Sequence, residues 1–314
     1  MASARIVSVF GAPGTQGSAV VRALLKDATF APRAICLDPD SDAAQKLKAQ
    51  GVEVVKGDFF NKASLVNALR GSEAVFSLAH IFLHVTVPIF PFKAEGPNEL
   101  VAGMNMVDAA KEVGVKFFIF SSLPSISKIS AGKYNNALHY DQKAAVEEHL
   151  RSSGLANASI HTGAFLERYW TFVPAGLLNR TVKGFDMAVP LFRVADRAAF
   201  TWVERDLAAV VLALLTNYTD PSKNISGKVY PIVNANIPYA KLAEMTGKAL
   251  GVEVTFTTAP PKGMAAMDDM YAAHAEYSGL YTATPIPNPD LVALGVQLGT
   301  IEDFLEAEVK PRFG

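Results

Sequence analysis

Residues 8–25, "SVFGAPGTQGSAVVRALL", join a β-branched and aromatic run to an apolar segment of helical spacing, through a turn with glycines at 11, 14 and 17. Glycines in such a turn allow tight backbone curvature, close approach of the chain to a pyrophosphate and close helix–sheet packing. The N–H groups of the first helical turn favour an anion. Taken alone, the glycine pattern would also suit a connection that binds nothing. Its context says more: the turn follows the first strand, opens the first helix and is followed by Asp38 at the end of the second strand. Gly11, Gly14, Thr15, Gln16 and Gly17 are therefore candidate contacts to a dinucleotide diphosphate.

A carboxylate at Asp38 suits the adenosine ribose hydroxyls of NAD and repels the 2′-phosphate of NADP, so NAD is favoured over NADP. Residues 38–40, "DPD", have an alternative reading as a polar turn capping the next helix. Arg33 begins that strand and is not placed as a phosphate clamp, while Lys46 lies within reach. Asp58, in "KGDFF" at the end of the third strand, is placed to meet the adenine edge, and Asn61 is the better N-cap for the helix that follows.

Short β-rich runs at 7–10, 34–37, 53–55, 74–78 and 117–120 alternate with helical segments at 16–26, 43–49, 62–69, 99–113 and 141–152. Gly51, Gly71, Gly114 and Gly154 stand where helix C-caps belong. Parallel strands need long connections, so this alternation predicts an α/β Rossmann fold with a doubly wound parallel sheet. After Gly154 the rhythm changes. A sheet strand at 158–160 is followed by "FLERYWTFVP", a Gly/Pro-punctuated section at 184–190, a strand at 228–233, a helix at 239–250 and a Met/Ala/Tyr-rich section at 262–281. We expect a dinucleotide-binding domain over 1–160, a smaller α/β lobe over 161–314, and a ligand cleft between them.

Composition narrows the classes. The 314 residues are 50% hydrophobic and 19% charged, with 29 basic and 30 acidic side chains. That balance leaves no basic footprint for nucleic acid or an anionic membrane. The single cysteine, Cys36, excludes an intrachain disulfide and any multi-cysteine metal site, and its apolar surroundings predict a buried, inert thiol. Without a signal-peptide pattern or an apolar run of about 18 residues, a cytoplasmic protein with no membrane partner is expected.

The segment "ALHYDQKAAVEEHL", residues 137–150, carries the candidate chemistry. In short-chain dehydrogenases a Tyr four residues before a Lys acts as general acid or base, and the Lys holds the nicotinamide ribose and lowers the Tyr pKa. Here His139 is four residues before Lys143 and Tyr140 three before it. Both spacings put a side chain beside the lysine on a helix, and the register over the nicotinamide belongs to His139, which relays protons near neutral pH. Alternatively, His139 and Tyr140 pack beneath the cofactor and move no proton.

Together, "GAPGTQG", "GVEVVKGDF", "GMNMVDAAKEVGVKFFIFSSLP", "KYNNALHYDQKAAVEEHLRSSGL" and "TGAFLERY" resemble the NmrA-like family of atypical short-chain dehydrogenases over nearly the whole chain. The resemblance implies NAD or NADP bound by the glycine turn, by Asp58 with Phe59, by Lys143 and by the loop of Thr162, Gly163, Ala164 and Phe165. It also implies a choice of functions, since some members resemble oxidoreductases and others nicotinamide-sensing regulators that lack the Tyr and bind partner proteins. Leu37-Asp38 stands where relatives often carry an Arg suited to NADP, and Glu167-Arg168 stands where an "EN" pair is common.

A long apolar and aromatic loop, "AHIFLHVTVPIFPFKAEG" at 79–96, follows the fourth strand. His80, Phe82 and Phe92 in it, with Tyr169 beyond, are the candidate substrate contacts, joined by His84, Phe90, Trp170 and Phe172. Such walls suit an apolar or aromatic small molecule, although the same residues also read as core between lobes or as a homodimer face. His80 and His84 lack a third ligand, so no metal is expected. Two functions follow: an NAD(P)-dependent oxidoreductase for an apolar carbonyl, enone or imine, or a non-catalytic dinucleotide sensor with a regulatory protein partner.

Overall fold

A computed structural model of the chain describes residues 5–78, 98–171 and 177–314. Its first half alternates β1 (Arg5–Phe10), α1 (Thr15–Asp27), β2 (Phe30–Cys36), α2 (Asp42–Ala49), β3 (Glu53–Lys56), α3 (Lys62–Leu69), β4 (Ala74–Leu78), α4 (Glu99–Glu112), β5 (Phe117–Ser122), α5 (Ile126–Ile129), α6 (Leu138–Ser152) and β6 (Asn157–Thr162). Then follow β7 (Ala164–Phe165), α7 (Arg168–Thr171), β8 (Leu178–Arg180), β9 (Gly184–Pro190), β10 (Arg197–Thr201), α8 (Ala208–Asn217), β11 (Lys228–Ile232), β12 (Ala235–Pro238), α9 (Tyr239–Leu250), β13 (Glu253–Ala259) and α10 (Ala265–Glu276).

Seven strands form one parallel sheet in the order β11-β6-β5-β4-β1-β2-β3, the doubly wound Rossmann arrangement. β4, β5 and β6 are buried along their whole length, as strands covered by helices on both faces must be. On one face Val20, Val21 and Leu24 of α1 pack against Val210, Val211 and Leu214 of α8. On the other, Leu65 of α3, Met106 of α4 and Val146 of α6 share a second core with Phe118 and Phe120. Gly51, Gly71, Gly114 and Gly154 all hold the left-handed backbone that ends a helix.

Strand β2 begins four residues before the run at 34–37 and contains Pro32. Its neighbour β3 pairs with it only from Arg33 onward, so the missing N–H of Pro32 falls where β2 has a partner on the β1 side alone. Cys36 is half-buried, short of the full burial expected, and desolvation pushes its thiol pKa up.

Beyond residue 160 the chain crosses back into the large sheet, because β11 pairs in parallel with β6, Tyr230 opposite Ile160. Two three-stranded sheets, β12-β10-β7 and β13-β9-β8, complete the second lobe. Its aromatic core includes Tyr169, Phe185, Phe200, Trp202, Tyr239 and Phe304. No helix among the described residues is long and apolar enough to cross a membrane.

Candidate functional site

The carboxyl ends of β1 to β6 lie along one edge of the sheet, and the strand order reverses between β1 and β4. In open α/β sheets ligands bind in the crevice at that point. Gly11 leaves β1 there at φ +66°, and a Cβ on it would come 3.1 Å from Leu78 at the end of β4. The Gly14 N–H donates to the Gly11 carbonyl at 2.8 Å, which closes the turn. A Cβ on Gly17 would lie 2.3 Å from the Gly11 oxygen, so this position admits only glycine if helix and turn are to stay in contact.

Helix α1 therefore starts hard against the turn. Gly14 is its N-cap, and among the described residues no side chain caps it and its first turn contains no acid. The uncapped N–H groups and the positive end of the helix are the complement of a phosphate. Thr15 is exposed, whereas the Gln16 Oε1 accepts a 2.6 Å hydrogen bond from Ser121 Oγ at the end of β5, linking the turn to the next part of the edge.

On the β2–β3 side, Asp38 is exposed and its Oδ1 accepts from the Asp40 N–H at 3.0 Å, while Ser41 caps α2. Asp38 thus takes part in a turn just beyond the carboxyl end of β2. Asp58 is held in a similar turn beyond β3: its Oδ1 accepts from the Phe60 N–H at 2.9 Å, and Asn61 caps α3. Phe59 is different, because its ring is buried edge-on against Phe10 at 5.5 Å and its carbonyl accepts from Asn105 Nδ2 at 3.0 Å. Its side chain belongs to the core, so any contact it makes to a cofactor is through its backbone.

Helix α6 presents Tyr140, Lys143, Val146, Glu147 and Leu150 as its buried face, at the spacing of successive helical turns. Each polar member of that stripe ties to a different element. Lys143, 8% exposed, forms an ion pair with Glu99, the first residue of α4, and its Nζ lies 3.5 Å from the His139 carbonyl. Glu147 meets His161 of β6 at 2.7 Å. Burial works to raise the Glu147 carboxyl, but hydrogen bonding and charge from His161 outweigh it and hold the pKa below the ordinary value. Tyr140 shares a 2.8 Å hydrogen bond with His274 of α10.

That last bond bears on the choice of proton carrier. Desolvation pushes the Tyr140 phenol well above its ordinary pKa and pushes the His274 imidazole down to about 4. Tyr140 is therefore a buried tie between α6 and α10, with its hydroxyl engaged by His274. His139 is half-buried, its ring edge-on to Tyr140 at 4.9 Å.

At the end of β6, the Thr162 carbonyl accepts from Tyr281 OH at 2.8 Å, and the Gly163 N–H donates to Thr201 Oγ1 at 2.8 Å. A Cβ on Gly163 would meet the Ala199 oxygen at 2.4 Å, so the loop presses directly on β10. Ala164 and Phe165, half-buried, form β7. Tyr169 does not wall a cleft as expected. It is 1% exposed, with its OH 2.7 Å from Thr246 Oγ1 and its ring edge-on to Phe304, so that α7 carries it inward to fill the second core. Trp170, half-buried, and the edge of the otherwise buried Trp202 line a cleft of about 390 Å³ with Thr15, Arg22, Glu167 and Arg312. Glu167 is buried, desolvation raises its pKa, and its Oε1 accepts from the Glu204 N–H at 2.9 Å. His80, Phe82, His84, Phe90, Phe92 and Phe172 lie outside the described residues. Among the described residues, no three His, Cys, Asp or Glu side chains are grouped to hold a metal.

Glu99, Ser121, His161 and His274 were not anticipated. Glu99 had a signal, since with Gly103, Met106 and Ala110 it falls on an inward stripe of α4 that is otherwise apolar and small.

A doubly wound sheet with an uncapped helix behind a glycine turn, and a lysine-bearing helix at the same edge, defines a Rossmann-type protein of the short-chain dehydrogenase architecture. The NmrA-like family model matches residues 3–284, and the chain belongs to that family. It is 26% identical over 326 residues to the NmrA-like family domain-containing oxidoreductase ptmS of Penicillium ochrochloron, covering 98% of this chain and 94% of that one. It is 34% identical over 203 residues to the oxidoreductase hkm9 of Aspergillus hancockii, which covers 63% of this chain and only 55% of that relative. Among solved structures, NmrA, a negative transcriptional regulator, in complex with NADP superimposes at TM-score 0.70 with 17% identity, covering 99% of this chain and 95% of that one. The NADPH-dependent quinone oxidoreductase QOR2 of Escherichia coli, complexed with NADPH, superimposes at TM-score 0.69 with 22% identity, covering 95% and 98%.

Proposed function

We propose that the protein is an NAD(P)-dependent oxidoreductase acting on an apolar or aromatic carbonyl, enone or imine. The observation that carries this reading is the start of α1, where no side chain among the described residues caps the helix and Gly17 presses on Gly11. A dinucleotide bound there would be held by the backbone of Gly11, Gly14, Thr15, Gln16 and Gly17, with Asp38 at its ribose and Asp58 near its adenine. Asp38 favours NAD(H), since a 2′-phosphate beside it would meet a like charge. The nicotinamide would supply or accept the hydride.

The chain's own groups do the rest. Lys143 would donate a hydrogen bond to the ribose, and His139 would carry the accompanying proton. The oxidoreductase names of ptmS and hkm9, and the quinone chemistry in the name of QOR2, support this class of reaction.

A second reading is favoured by one observation: the Tyr140 hydroxyl is already bonded to His274. If His139 moves no proton either, the protein is a dinucleotide sensor with a protein partner, a reading supported by the likeness to NmrA, a negative transcriptional regulator. The test is calorimetric titration with NADH and NADPH, followed by turnover of a panel of aromatic aldehydes, enones and imines. Oxidation of the dinucleotide by any of them is the expected result. Binding without turnover on any of them selects the sensor, and no association at millimolar dinucleotide overturns both readings.

A further inference from the structure

We infer that Glu99 is a positioning residue for Lys143, orienting its ammonium toward the ribose of the bound dinucleotide; this rests on the proposed function and concerns a side chain which that proposal leaves unused. The two residues come from separate helices that meet closely. A Cβ on Gly103 of α4 would lie 2.4 Å from the Val146 Cγ2 of α6, so the helices touch there. Glu99 is one turn before Gly103 and Lys143 one turn before Val146. The pair therefore forms just above the tightest contact, near the N-terminal ends of both helices, on the edge where the strands end.

Nothing in the packing of α4 on α6 requires charge at this point. The helices already share an apolar core through Ala102, Met106, Val146 and Leu150. Taking a carboxylate and an ammonium out of water costs more than an apolar pair of similar size, so a purely structural tie would be better made without them. An ammonium carries three N–H donors. Glu99 Oε2 and the His139 carbonyl take two of them, which leaves one donor in a direction fixed by the other two. A lysine held in this way offers one aimed hydrogen bond instead of a mobile charge.

The test is a double-mutant cycle read by dinucleotide affinity, using fluorescence titration with NADH and with NADPH. Glu99→Gln is expected to weaken binding about tenfold, the loss of an oriented charge-assisted hydrogen bond, and Glu99→Asp to recover most of it. In a Lys143→Met background, Glu99→Gln is expected to change the constant by less than about twofold, because its effect passes through the lysine. The double variant leaves no unpaired buried charge. If Glu99→Gln alone does not fold, equal affinity of Lys143→Met and the double variant supports the inference, and a further loss in the double variant overturns it. Wild-type affinity in Glu99→Gln, or an equal loss in both backgrounds, overturns the inference and leaves dinucleotide binding standing. No binding by the unmutated protein overturns the proposed function and this inference with it.

Discussion

The Tyr140 hydroxyl and the His274 Nε2 lie 2.8 Å apart, both buried, so that the helix carrying Lys143 is tied to the second lobe by a neutral hydrogen bond. The imidazole is neutral because burial, helped by Arg168, lowers its pKa from 6.5 to about 4. As pH falls, the unfolded chain takes up this proton first. The stability contributed by neutral His274 is therefore complete above about pH 6.5 and is lost between there and about pH 4. At about 1.4 kcal/mol per pH unit the loss reaches about 3 kcal/mol. Urea unfolding across this range should show that slope, and His274→Gln, which keeps a polar partner but does not titrate, should reduce it.

Gly17→Ala places a methyl group where the Gly11 carbonyl oxygen now lies 2.3 Å away, so either the turn or the helix must move. The N–H groups at the start of α1 then lose their common aim. NADH and NADPH affinity should fall by at least about tenfold in calorimetry. Unchanged affinity would remove the turn from the binding site.

Asp38→Ser removes the carboxylate that opposes a 2′-phosphate while keeping a small polar residue in the turn. The ratio of NADPH to NADH affinity should rise by about tenfold or more, as for one unfavourable charge contact relieved. A constant ratio would reduce Asp38 to its hydrogen bond with the Asp40 N–H.

His139→Ala should lower turnover about a hundredfold if the imidazole carries the proton, with dinucleotide affinity changed by less than about twofold. A change in turnover under about twofold would remove it from the mechanism.

Tyr169→Phe tests the reassignment of that side chain to the core. Its hydroxyl bonds Thr246 inside the second lobe, so the variant should lose about 1 kcal/mol of stability in chemical denaturation. Its KM for any substrate should be unchanged, whereas a shifted KM would return it to the binding site.

The large sheet was legible because its signals are local. Strands end in glycines or acids, helices begin at caps such as Asn61, and four helix ends carry glycine in the left-handed backbone. Much of the second lobe was not, because strands such as β7 and β10 depend on partners distant in sequence: Phe165 lies beside Thr201 and Phe200 opposite Ala235. The same reason hid the true surroundings of Tyr140. The "HYDQK" pattern places it beside Lys143 on one helix, but nothing local reveals that His274, far along the chain, takes its hydroxyl. Tyr169 misled through composition, since an aromatic residue next to a candidate ligand contact looks the same whether it faces the ligand or the core.

The pairing of β11 with β6 couples the two halves of the molecule more strongly than their order in the chain suggests. A fragment cut near residue 160 would leave β6 as an open sheet edge and strip α8 from Val20, Val21 and Leu24 of α1. Such a piece should self-associate when expressed alone and become monomeric only when the complementary piece is supplied, so a pair of split halves would report their own reunion.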